Sequence, residues 1–433
     1  MELLNNFFLP PSSDHLHLVK YIILIVYFIH IPFISLLLGG TILSVFFRLL
    51  AHNGSSSQSI RISRDIVDTL ILRKSAGIIL GVLPLIVLLL IEGQIFYDAN
   101  ISVVKFLLYA TVLISVGISL AYFYQYSHQM VEVSSLFQLM VGLASLFFLL
   151  GGYFIFSVNS ALIFDPGRWA NVNRPEHFLF SWNVVARFLH FLSASLAVSG
   201  LALVFFSFNW KETRREYDAA YASYLQKVGG GVGLGFTLMQ PIFIFWNLIT
   251  LPDPALSMAV FIYTLLALLI ILFIALRLYR LLVEKQIRQG TISFALFVIV
   301  LIIMIVTDHT AREAAIQNHS QLLITRAREI ESELEAKREI ERAAAVQPDL
   351  SLGEQVFKAQ CTACHRFEQK IVGPPYNSVL GKYENRPEEL IAFIRNPSKV
   401  NPEYPAMPKL GLSEKDIKSV VAYLLQEWEK QPK

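Results

Sequence analysis

Long apolar runs dominate the first three quarters of the chain and predict helices that cross a membrane. Eight such runs lie near residues 20–48, 76–98, 103–125, 135–160, 179–207, 229–250, 255–282 and 291–308. Each reaches or approaches the ~20 residues that a helix needs to cross the hydrocarbon core of a bilayer. The pattern therefore predicts an all-α fold with a polytopic membrane helix bundle of about eight spans over residues 1–310.

The pattern changes at Ala311, where charged residues alternate with a sparse apolar seam as far as about Ala345. Ile316, Leu323 and Ile330 recur every seven residues along this segment. A coiled coil would need more sustained heptads, so a solvated helical stalk that continues the eighth span is the favoured interpretation. We assign residues 311–346 to this stalk and keep the coiled coil as the alternative.

Residues 347–433 form the third predicted domain, in which short helical patterns alternate with loops rich in proline and glycine. Its final segment begins at Ser413 with a typical helix start, a serine followed by acidic residues. The length and patterning of this part predict a compact α-helical domain.

The composition supports a membrane protein and argues against nucleic acid as a partner. The 433 residues are 55% hydrophobic with a mean hydropathy of +0.53, which is unusual for a soluble protein. The formal net charge of +3 is too small to indicate nucleic-acid binding. The first apolar run is too long for the core of a cleavable signal peptide, so we interpret it as a retained helix.

Lysine and arginine residues between the runs predict the orientation of the bundle. Thirteen lie in one set of loops and four in the other, and the richer set is expected to be cytoplasmic. The thirteen are Arg48, Arg61, Arg64, Arg73, Lys74, Lys211, Arg214, Arg215, Lys227, Arg277, Arg280, Lys285 and Arg288. Both termini and the C-terminal domain are then predicted to lie on the outer, periplasmic side of a cytoplasmic membrane.

The segment Cys361-Thr-Ala-Cys364-His365 has the CxxCH spacing that attaches a c-type haem. Two thiols at this spacing bond the two vinyl groups of one porphyrin, and the adjacent imidazole can bind the iron. A structural zinc site is the alternative, but no second Cys/His cluster in the sequence completes one. The chain contains no other cysteine, so no disulfide competes for these thiols.

The C-terminal domain resembles class I cytochrome c along its whole length. Gly353 and Phe357 precede the CxxCH segment, Gly373-Pro-Pro follows it, and Pro405-Ala-Met407-Pro408 lies before the final helix. The resemblance implies that His365 is the proximal iron ligand and Met407 the distal one. A thioether ligand raises the reduction potential of a haem.

Two histidines inside predicted spans are candidate ligands of a membrane haem. His30 lies in the first run and His190 in the fifth, and both runs are predicted to enter from the outer face. At a rise of 1.5 Å per residue, each lies ~15 Å below the outer boundary. Both could bind one b-type haem or two haems at one level, and the alternative is a histidine that only bridges helices.

Glu92 and Arg187 are the other charged candidates within the predicted spans. Glu92 could relay a proton or contact quinol, and a neutral acid hydrogen-bonded between helices is an equally good interpretation. Arg187 lies one turn before His190 and could bind a haem propionate or extend towards the interface.

The membrane part, over about residues 17–280, resembles the large quinol-oxidising subunit of cytochrome bd oxidases. The resemblance rests on Tyr27-Phe-Ile-His30-Ile-Pro32, on Gly77 to Phe96 and on Val185-Ala-Arg187-Phe-Leu-His190. It implies that His190 and His30 are haem ligands and that quinol is the electron donor. The family's second b-haem ligand is a methionine on the seventh helix, where Met258 is the only candidate.

The chain departs from that family at positions that matter for oxygen chemistry. The family's long outer loop between helices six and seven is reduced here to Thr250-Leu-Pro-Asp-Pro-Ala-Leu. The third run contains no carboxylate, and a ninth helix is missing. These departures argue against the prediction of oxygen reduction more than against the prediction of a b haem at His190.

The sequence therefore predicts a membrane-bound respiratory electron-transfer cytochrome with one or two b haems and one covalent haem c. Its predicted partners are the membrane quinol pool, with quinone as a further ligand, and a periplasmic or complexed redox partner, with other membrane subunits also expected. An enzymatic role as a quinol:cytochrome c oxidoreductase, or a subunit of one, stays open. The alternatives are a bd-like terminal oxidase subunit fed by cytochrome c, and a haem-free anchor that presents the cytochrome in a larger complex.

Overall fold

The computed structural model describes residues 13–52, 57–71, 74–96, 103–130, 134–171, 179–209 and 217–431. Within these ranges every regular element is helical and none is a strand, which confirms the predicted all-α fold. The chain divides into two compact units, Met1–Arg328 and Glu329–Lys433. The boundaries predicted at residues 310 and 346 stay predictions.

The first unit contains nine long helices in its described part. They are α1 Ser13–His52, α2 Ser57–Leu70, α3 Leu83–Ile95, α4 Val103–Ser127, α5 Ser135–Phe164, α6 Trp182–Phe208, α7 Ala219–Ile249, α8 Met258–Glu284 and α9 Ile287–Ala315. All except α2 are long and apolar enough to cross a membrane, α3 together with a preceding π-helical turn, Gly77–Val82. The eight predicted spans are thereby confirmed, and the chain is a multi-pass membrane protein.

Two of these helices extend further than their apolar runs. Helix α7 begins at Ala219, well before residue 229, because the side chain of Asp218 caps it by accepting a hydrogen bond from the backbone N–H of Tyr221. Helix α9 continues past residue 308 to Ala315. Its last turns therefore carry charged residues that the sequence had placed in the stalk.

Helix α6 is the central helix of the bundle. In its most apolar window 72% of the residues are buried, against 22% in α7 and in α8. Helix α6 packs against α7 at close range, since a Cβ at Gly200 would lie 2.6 Å from the backbone nitrogen of Gly233. The helix that carries His190 is thus held on several sides by its neighbours.

A turn at Ile316 separates α9 from the next helix, α10 (Gln317–Val346). Ile316 and Leu323 are buried in the core of the first unit, at 1% and 6% exposure. The Nε2–H of His319 donates a hydrogen bond to the carbonyl of Ile95, at 2.9 Å. The apolar seam predicted for a solvated stalk therefore packs on the helix bundle over these first turns, whereas residues 331–341 are exposed.

The second unit contains four short helices after α10. They are α11 Leu350–Val356, α12 Tyr376–Val379, α13 Pro387–Arg395 and α14 Glu414–Glu429. Helix α14 begins with a capping box in which Ser413 and Asp416 exchange hydrogen bonds. Its apolar face, with Val420 and Leu424, packs in a core that also includes Cys361.

Candidate functional site

The second unit encloses a cavity of about 530 Å³ around the CxxCH segment. A π-helical turn, Phe357–Cys361, follows α11 and places Cys361 on the wall of this cavity. Cys364, His365 and Met407 line the same cavity. The structure thus brings together the four residues that the sequence identified here.

The ring of His365 is fixed so that one nitrogen is available to a metal. Its Nδ1 lies 2.9 Å from the carbonyl oxygen of Pro374, which can only accept, so Nδ1 carries the proton and donates. The Nε2 atom then carries the free lone pair. In metal-binding histidines a hydrogen bond at the opposite nitrogen usually fixes the tautomer and the orientation of the ring in this way. A Cβ at Gly373 would overlap the His365 ring, so only glycine allows this close approach.

Aromatic rings pack beside the cysteine segment on its buried side. The His365 ring stacks on Tyr376 with centroids 5.0 Å apart, and Tyr376 also contacts Phe357 and Phe367. Burial raises the pKa of the Cys361 thiol. The thiols therefore lie in an apolar wall that suits the edge of a porphyrin.

Met407 completes the cavity from a loop between α13 and α14. Its side chain is half-buried and packs against the core of the second unit. A thioether and an imidazole that line one cavity, beside two thiols, form the donor set of a covalent haem with His and Met ligands. The residues present fit this group, and a haem bound here supplies reversible one-electron chemistry.

A second cavity, of about 190 Å³, lies inside the helix bundle. His190 and Arg187 of α6 line it, together with Tyr153 of α5 and Met304 and Asp308 of α9. His190 is 8% exposed, and its Nε2 makes no hydrogen bond of normal geometry within the described residues, although the side chain of Gln240 on α7 lies close to the ring. An unpaired ring nitrogen buried beside a cavity is costly unless a ligand satisfies it.

His30 is buried as well, but both of its ring nitrogens have partners. Nε2 lies 2.6 Å from the hydroxyl of Tyr153, and Nδ1 lies 3.3 Å from the carbonyl of Leu80 in the π-helical turn. His30 does not line the cavity. His30 and His190 therefore do not line the same cavity, because the rotation of α1 directs His30 towards Tyr153, and their binding of one b haem or of two stays a prediction.

Met258 and Arg187, the two remaining sequence candidates, have different environments. Met258 is the first residue of α8, its side chain is 75% exposed, and it does not line the cavity. Arg187 does line the cavity, but it donates to Asp308 at 2.5 Å and to Asn183 at 2.9 Å. The charge of Arg187 is thus already balanced by a carboxylate.

The end of α9 is tied to three other helices by ion pairs. Asp308 binds Arg187 of α6, Glu313 binds Lys20 of α1, and Arg312 binds Glu92 of α3. The last pair is bidentate, with distances of 2.5 and 3.0 Å, and its side chains are 3% and 0% exposed. Glu92 is therefore the partner of a buried arginine, which sequence reasoning missed because it ended the eighth span at residue 308.

Comparisons with known proteins match only the C-terminal domain. Residues 348–424 match the family described as cytochrome c oxidase, cbb3-type, subunit III. The chain is similar to cytochrome c-551 of Pseudomonas denitrificans, with 32% identity over 79 residues, which are 17% of this chain and 96% of the relative. Cytochrome c-551 of Azotobacter vinelandii is 31% identical over 77 residues, 17% of this chain and 94% of the relative.

No solved structure matches the chain. The matched relatives are covered almost completely, and the match includes the whole cavity wall from Cys361 to Met407. A cytochrome c domain implies covalently bound haem c and electron transfer. Through its C-terminal domain, the chain belongs to the cytochrome c family.

Proposed function

We propose that the chain is a membrane-bound electron-transfer cytochrome that connects the quinol pool with a redox partner on the outer side of a cytoplasmic membrane. Its two redox groups are the haem c at Cys361 and Cys364 and one b haem held by His190 in the helix bundle. The observation that carries the proposal is the unpaired Nε2 of His190, buried at a cavity in the same chain as the cytochrome c domain.

The lining of the bundle cavity would suit a porphyrin, because His190 lies on it among mainly apolar side chains. Its lining residues run from Leu301 to Ala311 on α9, about 15 Å at 1.5 Å per residue. Several are small, including Ser157, Ala194 and Ala267, and leave room beside the helix backbones. The volume is smaller than the 530 Å³ at the haem c site, so some lining side chains would have to move for a porphyrin to bind. A b haem bound there would supply a one-electron relay within the bundle.

Polar residues at one end of the cavity have the right chemistry for the propionates of such a haem. Arg187 is 9% exposed at its side chain, whereas its partner Asp308 is 41% exposed. A propionate can replace Asp308 on the guanidinium, since Arg binds carboxylates in a bidentate geometry. Asp308 can then turn towards solvent.

Quinol is proposed as the reductant on chemical grounds and from the resemblance to a quinol-oxidising subunit. It dissolves in the bilayer and reaches spanning helices directly. Its oxidation to quinone releases two electrons and two protons, so two one-electron transfers to the oxidised outer partner balance one quinol. The predominance of Lys and Arg in one set of loops supports an outer location for the cytochrome c domain.

The substitution His190→Ala tests this proposal, with His128→Ala as the matched control. His128 is also 8% exposed, and its Nε2 also lacks a partner within the described residues, but it does not line the cavity. In proteoliposomes given quinol and an oxidised soluble cytochrome c, His190→Ala is expected to lose haem b and at least 90% of the turnover. The His128 variant is expected to keep both.

Haem c must remain reducible by dithionite in both variants, which shows that the cytochrome c domain is intact. A His190→Ala protein that retains haem b and full quinol-dependent turnover would contradict the proposal. A wild-type protein without haem b would instead support a helix bundle that only anchors the cytochrome.

A further inference from the structure

We propose that a contact between Lys370 and Tyr404 keeps Met407 on the iron of haem c. The Nζ atom of Lys370 lies over the ring of Tyr404, 4.5 Å from its centroid. Lys370 lies five residues after His365, on the segment of the proximal ligand. Tyr404 lies three residues before Met407, on the loop of the distal ligand. The contact therefore joins the two segments that carry the axial ligands, and the inference rests on the haem c of the proposed function.

The segment after the CxxCH motif is held firmly by hydrogen bonds. Nδ1 of His365 donates to the carbonyl of Pro374 at 2.9 Å. The backbone N–H of Gly373 donates to the carbonyl of Cys364 at 2.8 Å. Lys370 lies between these bonded positions, so its backbone is a fixed point beside the cavity.

The loop that carries Met407, residues 397–412, has few ties to the rest of the unit. Among the described residues, its hydrogen bonds remain inside the loop: the backbone N–H groups of Glu403 and Tyr404 donate to the side chain and the carbonyl of Asn401. Four prolines stiffen its backbone but donate no hydrogen bond to a neighbouring segment. Side-chain contacts must therefore hold this loop against the cavity.

Tyr404 is well placed to provide such a contact. Its side chain is half-buried and lines the haem c cavity together with Met407. A lysine ammonium over a tyrosine ring is attracted by the negative face of the ring, and at an exposed site this attraction shifts an equilibrium about two- to fivefold. When Lys370 no longer holds the ring, the loop and its thioether can move away from the iron more often.

A second lysine–tyrosine contact in the same unit provides the matched control. Lys382 lies over the ring of Tyr383, 4.9 Å from its centroid. These two residues are neighbours on one short helical turn, Leu380–Tyr383, so their contact joins no separate segments. Both Lys370 and Lys382 are exposed, and replacing either with methionine removes one positive charge from the same unit.

The test measures the apparent affinity of reduced haem c for carbon monoxide in the purified full-length protein. Carbon monoxide binds the iron only when Met407 has left it, so the apparent affinity is proportional to that open fraction. Lys370→Met and Tyr404→Leu are each expected to raise the affinity about two- to fivefold over the wild type. Lys382→Met, and Tyr404→Phe, which keeps the aromatic ring, are expected to remain at the wild-type value.

The double variant of Lys370→Met with Tyr404→Leu is expected to match each single variant, because both substitutions remove the same contact. The inference is overturned if Lys370→Met behaves like Lys382→Met, or if Tyr404→Phe gains as much affinity as Tyr404→Leu. Met407→Leu sets the upper limit of the affinity. A wild type that already reaches this limit would contradict Met407 as the distal ligand, and the inference with it. None of these results depends on haem b or quinol, so they are distinguishable from a failure of the rest of the proposed function.

Discussion

Replacing Cys361 and Cys364 together with serine is expected to abolish covalent haem attachment and all electron transfer to the outer partner. A hydroxyl in place of each thiol cannot form the thioether bonds to the porphyrin. The two residues lie on one cavity wall, and the helix bundle belongs to a separate compact unit, so membrane insertion should be unaffected. Haem staining after denaturing electrophoresis and the mass of the intact chain measure the loss.

Thr362→Ala is the control for this experiment, because it changes the same segment without removing a thiol. Among the described residues, its hydroxyl donates to the carbonyl of Lys358, one turn earlier. Thr362→Ala should retain covalent haem at the wild-type level. Covalent haem in the double serine variant would contradict the assignment of the attachment site.

Removing the guanidinium of Arg312 is expected to destabilise the helix bundle by about 3 to 5 kcal/mol. Arg312→Met leaves the carboxylate of Glu92, which is 0% exposed, buried without its bidentate partner. The double variant Glu92→Leu with Arg312→Met removes both charges and should recover most of this loss, since matched apolar replacements of buried pairs are often neutral. Unfolding of the detergent-solubilised protein by denaturing detergent measures the free energies of unfolding of the wild type, the single variant and the double variant.

Lys20→Met is the matched control for the arginine variant. Lys20 pairs with Glu313, the residue next to Arg312, but its side chain is 33% exposed and that of Glu313 22% exposed. Solvent screens such a pair, so the expected cost is at most about 1 kcal/mol. Equal costs for Lys20→Met and Arg312→Met would contradict the view that burial makes the Glu92–Arg312 pair a main tie between α3 and α9.

The spans were predictable because a helix needs about 20 consecutive apolar residues to cross a bilayer, and few polar residues are tolerated within such a run. The ends of the helices were less predictable. Arg312 was assigned to the stalk because charged residues usually mark the end of a span, and its partner Glu92 lies far away in the sequence. Likewise, Ile316 and Leu323 formed a recognisable seam, but the sequence could not show that the surface they cover belongs to the bundle.

The two cavities differ in how far local sequence defines them. Cys361, Cys364 and His365 lie within one turn region, so their spacing alone indicates the site. In the bundle, His30 and His190 have equal predicted depth, and only the rotation of each helix decides that His190 faces the cavity and His30 faces Tyr153.

The central claim is that the chain holds a second haem inside the membrane, and the ratio of haem b to haem c tests it most directly. Pyridine haemochrome spectra of the purified full-length protein separate the two haem types and give their amounts. We expect one haem b for each haem c, with the haem b lost in His190→Ala. Haem c alone in a fully folded wild-type protein would contradict the claim.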